Sequence, residues 1–191
     1  MKRIGIFGGS FNPIHIGHIS LARQLRKLAG LDEVWLMVSP QNPLKQQAEL
    51  LDEKLRFTMT NLALRGEEGL KASDYEFHLP KPSYTWNTLQ HLEKDYPQYS
   101  FTLLIGGDNW QLFHKWSHAE DILSRYPIVI YPRRDCEINI SALPPSVRVV
   151  QTELLDISST EIREKVKQGK DVSDIVPANI LSMVNHYYAL T

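Results

Sequence analysis

The residues best suited to chemistry are two histidines near the start of the sequence, His15 and His18. They are three positions apart, so on the first turn of a helix they share one face. Gly8 and Gly9 precede them directly after a short apolar run, and glycine lets a ligand approach the backbone closely. The free amides and positive dipole of a helix N-terminus attract phosphate. The spacing therefore predicts a phosphate-binding turn between a strand and a helix.

A histidine pair of this spacing can also be a surface pair or a fragment of a metal site. Structural zinc sites use four ligands, commonly including cysteines. Two histidines are too few, and Cys136 is the only cysteine of the sequence, so no cysteine cluster completes such a site. We therefore predict no metal site built by the protein itself.

A second group of polar residues lies near the C-terminal end, where Ser158, Ser159 and Thr160 are followed by Arg163. Ser158 and Glu161 have the spacing of a capping box, so the segment predicts the start of a helix. The other residues exceed what a helix start requires. Hydroxyls and free amides at such a position bind phosphate, and an arginine one turn later can reach back toward them.

The apolar residues around these two groups predict strands that alternate with helices. Strands are predicted at 4–7, 33–39, 70–77, 101–105, 128–131 and 147–150, and helices at 16–28, 53–64, 84–96, 159–167 and 177–188, with shorter helical pieces at 110–113 and 119–123. This alternation predicts an α/β fold, a Rossmann-like doubly wound parallel sheet in a single domain spanning 1–191. Ligands of such folds bind beyond the carboxyl ends of the strands, where the glycine pairs at 8–9 and 106–107 would both lie.

The composition narrows the class of protein further. Hydrophobic residues make up 42% of the 191 residues and charged residues 23%, which is typical of soluble globular proteins. A net charge of -1 argues against broad nucleic-acid binding driven by counterion release. The single cysteine favours a reducing compartment, and no apolar run approaches the roughly 20 residues of a membrane span. We expect a cytoplasmic protein that binds neither nucleic acid nor membranes; a homo-oligomer stays open.

Both motifs resemble those of one superfamily. The run GGSFNPIHIGH at 8–18 resembles the Gly-Gly-Ser/Thr-Phe-Asp/Asn-Pro-x-His-x-Gly-His motif of nucleotidyltransferases related to class I aminoacyl-tRNA synthetases, and the run at 158–163 resembles their Ser-x-Thr-x-x-Arg motif. The resemblance implies that His15, His18 and Arg163 are catalytic and hold the phosphates of ATP. The implied ATP-binding residues are Gly8, Gly9, Ser10, Phe11, His15, His18, Ser158, Ser159, Thr160 and Arg163.

Within that superfamily the sequence most resembles the bacterial nicotinate-mononucleotide adenylyltransferases, over nearly its whole length. Such enzymes join ATP and nicotinate mononucleotide to give nicotinate adenine dinucleotide and pyrophosphate in NAD biosynthesis. The resemblance implies that His18 stabilises charge on the α-phosphoryl oxygens, while Ser159, Thr160 and Arg163 hold the β- and γ-phosphates. We expect Mg²⁺ to be carried by ATP and its waters and not by a cage of protein carboxylates.

The same resemblance implies a site for the pyridine nucleotide. Thr85 would contact this substrate, Asp108 its ribose hydroxyls, and Trp116 would stack on the nicotinate ring. Lys45 would add positive charge near the phosphates. The full set of implied substrate-binding residues is Ser10, Asn42, Lys45, Thr85, Gly106, Asp108, Trp116 and, as alternatives near a substrate phosphate, Arg133 and Arg134.

The sequence departs from the pattern at three positions. Asn12 stands where many relatives have aspartate, Leu44 where many have histidine, and Ser117 where an aromatic residue is frequent. Two other functions therefore stay open. One is a sister enzyme: pantetheine-phosphate adenylyltransferase, a cytidylyltransferase or the amide-preferring nicotinamide-mononucleotide enzyme. The other is a nucleotide sensor without catalytic activity.

Overall fold

Six parallel strands form one sheet in the order β3-β2-β1-β4-β5-β6. A computed structural model defines this arrangement and describes residues 1–40 and 49–191. The strands are β1 (Lys2–Gly9), β2 (Glu33–Val38), β3 (Leu70–Ser73), β4 (Tyr99–Gly106), β5 (Ile128–Tyr131) and β6 (Val147–Val149). The helices are α1 (Ile16–Leu28), α2 (Glu53–Ala63), α3 (Thr85–Asp95), α4 (Gly107–Leu112), α5 (Ala119–Arg125), α6 (Ser159–Lys167) and α7 (Leu181–Tyr188).

The order in which the chain adds strands to the sheet reverses between β1 and β4. The chain proceeds outward from β1 to β3, then returns to β4 on the other side of β1. Both strands are paired in parallel along most of their length, from Lys2 opposite Tyr99 to Phe7 opposite Leu104. A crevice at such a reversal, beyond the carboxyl ends of the strands, is where doubly wound sheets bind ligands. The predicted parallel α/β fold is confirmed, and both glycine turns lie at this edge.

The two faces of the sheet are covered by helices, and the strand residues alternate between them. On β2, Val34 and Leu36 pack into the cluster that contains α1, α2, α6 and α7. Trp35 and Met37 pack into the opposite cluster with α3 and α5. Because both faces are covered, β2 is buried along its whole length, as a central parallel strand requires. Among the described residues, no helix is both long and apolar enough to cross a bilayer.

Several predicted elements have other bounds in the structure, and two of them differ most. The strand predicted at 70–77 stops at Ser73, because a 3-10 helix over Tyr75–His78 follows it directly. The Ser73 hydroxyl accepts the Tyr75 N–H at 3.2 Å, so a turn bond replaces the strand ladder. The helix predicted at 177–188 is a 3-10 turn over Ala178–Ile180 followed by α7.

Glu33 fastens three strands together at the end of the sheet opposite the crevice. Its carboxylate accepts hydrogen bonds from Lys2 of β1 at 2.5 Å and Lys71 of β3 at 2.8 Å, and from Trp35 Nε1 at 2.8 Å. Burial works to raise the pKa of Glu33, but these three donors outweigh it and lower the pKa to about 2. The carboxylate therefore stays charged and ties β1 and β3 to β2.

We predict that Glu33→Gln lowers the free energy of unfolding by about 1–3 kcal/mol at pH 7, because two lysines lose their anionic partner. The folded pKa lies below the ordinary 4.5, so this contribution is complete above pH 4.5 and lost as the pH falls toward 2. Urea unfolding at pH 7 and pH 3 should show the difference between wild type and variant shrinking. Glu68→Gln, at an exposed carboxylate, is the control. A difference that is equal at both pH values would contradict the prediction.

Candidate active site

A cavity of about 650 Å³ opens at the crevice between β1 and β4. Its walls come from the loop between β1 and α1, the first turn of α4, the segment after β5, and residues 153–163. The structure thus brings the two predicted motifs together, although they lie at opposite ends of the chain. The predicted residues that line the cavity are Gly8, Gly9, Ser10, Phe11, His15, His18, Asp108, Arg133, Ser158, Ser159, Thr160 and Arg163.

The two histidines cap α1 reciprocally. His15 is the N-cap residue, and its Nδ1 accepts the His18 N–H at 3.3 Å. The Nδ1 of His18 accepts the His15 N–H at 3.1 Å. A ring nitrogen that accepts a backbone N–H is unprotonated, so each neutral ring has its hydrogen on Nε2. The two rings stack with centroids 3.7 Å apart and an interplanar angle of 25°.

Gly17, between the histidines, is required by this arrangement. A Cβ atom at position 17 would lie 2.9 Å from both Cε1 and Nδ1 of His15. Such an approach is closer than real side-chain contacts allow, so any larger residue would displace the His15 ring. The glycine of the His-x-Gly-His run therefore has a steric cause.

Burial, with the positive charge of Arg133 adding to it, lowers the pKa of His15 to about 4. The side chain is 5% exposed. At neutral pH this imidazole is uncharged, which agrees with the acceptor role of its Nδ1. His15 can therefore offer phosphate a neutral hydrogen bond that survives moderate acidification.

The start of α6 is fastened to the loop that contains the histidines. Ser158 is its N-cap residue and accepts the Glu161 N–H at 3.1 Å, but the Glu161 carboxylate pairs with Lys165 instead of completing a capping box. The Ser159 hydroxyl donates to the Pro13 carbonyl at 2.9 Å. Arg163 Nη1 donates to the Asn12 carbonyl at 2.8 Å. These bonds fix the second motif against the first.

The arginines of the site are paired with carboxylates. Arg163 Nη2 lies 3.6 Å from Glu49 Oε2, and Arg133 Nε lies 3.8 Å from Asp108 Oδ1. Arg133 also lies over the Tyr131 ring, 5.4 Å from its centroid. These pairs are at the cavity wall, so an anionic ligand could replace the carboxylate partners.

Of the two alternative arginines, Arg133 lines the cavity, whereas Arg134 pairs with Asp156 at 3.1 Å and is not among the lining residues. Both side chains are exposed. Arg133 is therefore the better placed of the two for a phosphate.

The other predicted substrate residues that the structure describes do not line the same cavity. Trp116 lines a second cavity of about 810 Å³ together with Trp110 and Phe113. Thr85, the first residue of α3, lines neither of these two cavities. Gly106 ends β4, and a Cβ atom there would lie 2.6 Å from Asp108 Oδ1, so glycine admits the Asp108 side chain. Asn42 and Lys45 lie outside the described residues.

Several lining residues were missed by sequence reasoning. Leu154 and Leu155 are large apolar side chains that remain 38% and 47% exposed, and both face the cavity. Gln24 of α1 holds this segment, since its amide donates to the Glu153 carbonyl at 3.1 Å and accepts the Glu153 N–H at 2.7 Å. In the sequence, two adjacent leucines just before the second motif, outside any helical or strand period, could have indicated an apolar surface beside the site.

No cluster of three or more histidine, cysteine, aspartate or glutamate side chains is arranged to hold a metal ion within residues 1–40 and 49–191. That Mg²⁺ arrives with ATP stays a prediction.

Comparison with known proteins decides the family. A family model described as cytidylyltransferase-like matches residues 6–165. The chain is 49% identical over 170 residues to the probable nicotinate-nucleotide adenylyltransferase of Bacteroides fragilis, covering 89% of the chain and 85% of the relative. The chain belongs to the nicotinate-nucleotide adenylyltransferase family. A second relative so named, from Bacteroides thetaiotaomicron, is 44% identical over 185 residues, covering 97% and 92%.

A solved structure shares the fold. It is the Plasmodium falciparum nicotinic acid mononucleotide adenylyltransferase complexed with NaAD, with a TM-score of 0.83 and 22% identity, covering 100% of this chain and 99% of that one. The family and the fold class that the motifs implied are both confirmed. The roles of individual site residues stay predictions.

We predict that His15→Asn makes stability less sensitive to acid, because asparagine also caps helices but does not titrate. An unfolded histidine binds a proton near pH 6.5, whereas folded His15 does so only near pH 4. The free energy of unfolding of the wild type therefore falls by about 3 kcal/mol as the pH falls through that window, and that of the variant does not. Urea unfolding at pH 7.5 and 4.5 measures this, with the exposed His114→Asn as control. Equal acid sensitivity in wild type and His15→Asn would contradict the prediction.

Proposed function

We propose that the chain is a nicotinate-nucleotide adenylyltransferase that joins ATP to nicotinate mononucleotide and releases pyrophosphate. One observation carries this proposal: the reciprocally capped histidines and the start of α6 face each other across one cavity at the reversal of the sheet. Membership in the family supports it. So does the NaAD bound to the Plasmodium falciparum enzyme of the same fold, since NaAD would be the product here.

The proposed reaction is an in-line displacement. A phosphate oxygen of nicotinate mononucleotide attacks the α-phosphorus of ATP, the bond from that phosphorus to the β-bridging oxygen breaks, and pyrophosphate leaves. The attacking oxygen is already an anion, so no general base is required. Catalysis then consists of positioning and of stabilising charge on the phosphoryl oxygens. Mg²⁺ enters as part of the ATP substrate and supplies further charge neutralisation.

The histidines would supply hydrogen bonds where charge develops. Each ring offers Nε2–H because its Nδ1 is occupied by a backbone N–H. We assign His18 to the α-phosphoryl oxygens and His15 to the neighbouring phosphates. A neutral donor suits this task, since it stabilises charge without having to be protonated first.

The start of α6 would hold the leaving phosphates. Its free amides, the Ser159 and Thr160 hydroxyls and the Arg163 guanidinium all line the cavity. The carboxylate of Glu49 is 65% exposed and 3.6 Å from Arg163. We propose that the β- and γ-phosphates replace Glu49 as the partner of Arg163, which gives the guanidinium a bidentate anion.

Apolar residues would hold the adenine. Leu154 and Leu155 line the same cavity as the α6 start and expose apolar surface to it. Planar bases are commonly held between apolar side chains in ligand sites. We propose that these leucines contact the adenine and that Gln24 keeps their segment in place.

The pyridine nucleotide would lie across the first turn of α4. Asp108 lines the cavity of the histidines, whereas Trp110, two residues later, lines the second cavity with Trp116. We propose that Arg133 meets a substrate phosphate, Asp108 the ribose, and Trp116 the pyridine ring. Thr85, Asn42 and Lys45 stay predicted contacts.

The proposed function predicts a specific choice of acceptor. With ATP and Mg²⁺, nicotinate mononucleotide should give a kcat/KM at least about tenfold above that of nicotinamide mononucleotide, because donors matched to a carboxylate leave a carboxamide mispaired. Pyrophosphate release measures this. Equal efficiency would contradict acid specificity, and activity on phosphopantetheine would contradict the family-derived substrate. If ATP binds but no pyrophosphate is released with any acceptor, the result would indicate the nucleotide sensor instead.

We predict that His18→Ala lowers turnover by at least about a hundredfold, since removal of one donor to transition-state charge commonly costs that much. Circular dichroism should show a folded protein. His91→Ala is the matched control, because His91 is exposed on α3 and its ring bonds the Asn87 carbonyl of the same helix. Near-normal turnover in folded His18→Ala would contradict the assignment.

A further inference from the structure

We infer that Tyr188, in the last helix, is a positioning residue for the phosphates of ATP and acts through Asn12. This inference rests on the proposed function, because it concerns the same cavity. Tyr188 lies beyond residues 6–165, which the family model matches, and outside both sequence motifs. Its link to the site is a hydrogen bond, 2.8 Å long, from its hydroxyl to Asn12 Oδ1.

The bonds of Asn12 show that Tyr188 is the donor. Asn12 Oδ1 also accepts the Leu51 N–H at 3.2 Å, and Asn12 Nδ2 donates to the Glu49 carbonyl at 2.9 Å. A backbone N–H can only donate and a carbonyl can only accept, so the orientation of the amide is fixed without reference to Tyr188. The hydroxyl therefore has an acceptor in front of it and must donate.

Asn12 is the junction between Tyr188 and the candidate catalytic residues. Its own carbonyl accepts Arg163 Nη1 at 2.8 Å, which sets where the guanidinium lies. It stands one residue after Phe11, whose φ of 45° is unusual for a bulky residue, and three residues before His15. Such a backbone conformation persists only when surrounding contacts hold it. Tyr188 supplies one of those contacts from the far end of the chain.

Burial makes this hydrogen bond matter. Tyr188 is fully buried and Asn12 is 5% exposed, so water cannot replace a missing partner. Burial also raises the pKa of Tyr188, so the hydroxyl remains a donor. Arg56, likewise buried, supports the adjacent backbone by donating to the carbonyls of Ser10 and Ser39 at 2.7 and 2.8 Å. The loop before α1 is thus held from behind by buried donors while its front faces the cavity.

The test is Tyr188→Phe, which removes one oxygen and keeps the ring. We expect the apparent KM for ATP to rise about five- to tenfold, as one lost hydrogen bond at a buried partner implies. The KM for nicotinate mononucleotide should stay within about twofold of wild type. The control is Tyr187→Phe on the same helix, which keeps the ring contact with His186 and should leave both constants unchanged.

A merely structural role gives a different result. If Tyr188→Phe lowers the melting temperature but leaves both KM values unchanged, or raises them equally, the inference is overturned. The double variant Tyr188→Phe/Arg163→Lys should raise the ATP KM by less than the product of the single effects, since both act on one contact. Multiplicative effects would overturn it as well. Wild type without any adenylyl transfer would instead overturn the proposed function.

If Tyr188→Phe does not fold, hydrogen exchange on the wild-type protein decides. The α,β-methylene analogue of ATP should slow amide exchange in peptides covering 184–191, although α7 is not part of the cavity wall. Peptides covering 67–73, at the edge strand β3, serve as control and should not change. Absence of protection at 184–191, with protection at the start of α6, would overturn the inference.

Discussion

The site depends on a reciprocal pair of hydrogen bonds in which each histidine accepts the backbone N–H of the other. This pair does three things at once. It caps the first turn of α1, it leaves Nε2 as the nitrogen that carries the hydrogen in each neutral ring, and it accompanies the stacking of the two rings. Gly17 is part of the same device, because any Cβ there would push into the His15 ring. The motif is thus a capping structure whose side chains line the cavity.

The cavity has a buried polar side and an exposed ionic side, and the two have different purposes. Behind the loop, the buried side chains of Asn12 and Arg56 bond backbone groups of Glu49 and Leu51. In front, Arg163 and Arg133 hold carboxylates at 3.6 and 3.8 Å, distances typical of weak, exchangeable pairs. The rear contacts keep the geometry, while the front contacts can be exchanged for phosphate. Rigid support beneath replaceable partners is what a preorganised anion site requires.

Local patterns predicted what is local. The bounds of α1, α6 and β5 agree with the sequence expectation, because caps, periodicity and Gly30 define them within a few residues. A general rule of parallel sheets predicted the edge at which the two glycine turns lie, and the family resemblance implied that both motifs act on the same phosphates. The separate cavity of Trp116, the choice of Arg133 over Arg134 and the bond from Tyr188 to Asn12 did not follow. Each depends on how residues far apart in the chain pack, which no local spacing encodes.

The position of α6 and α7 after all six strands has a consequence for synthesis. The histidine loop is synthesised before α6, so it at first lacks the hydrogen bonds that Ser159 and Arg163 donate to its carbonyls. The central strand β1 likewise has both of its edges paired only after β4 has been synthesised. Domains of this kind fold as units once their sequence has emerged. The two motifs can therefore meet only after α6 has been synthesised.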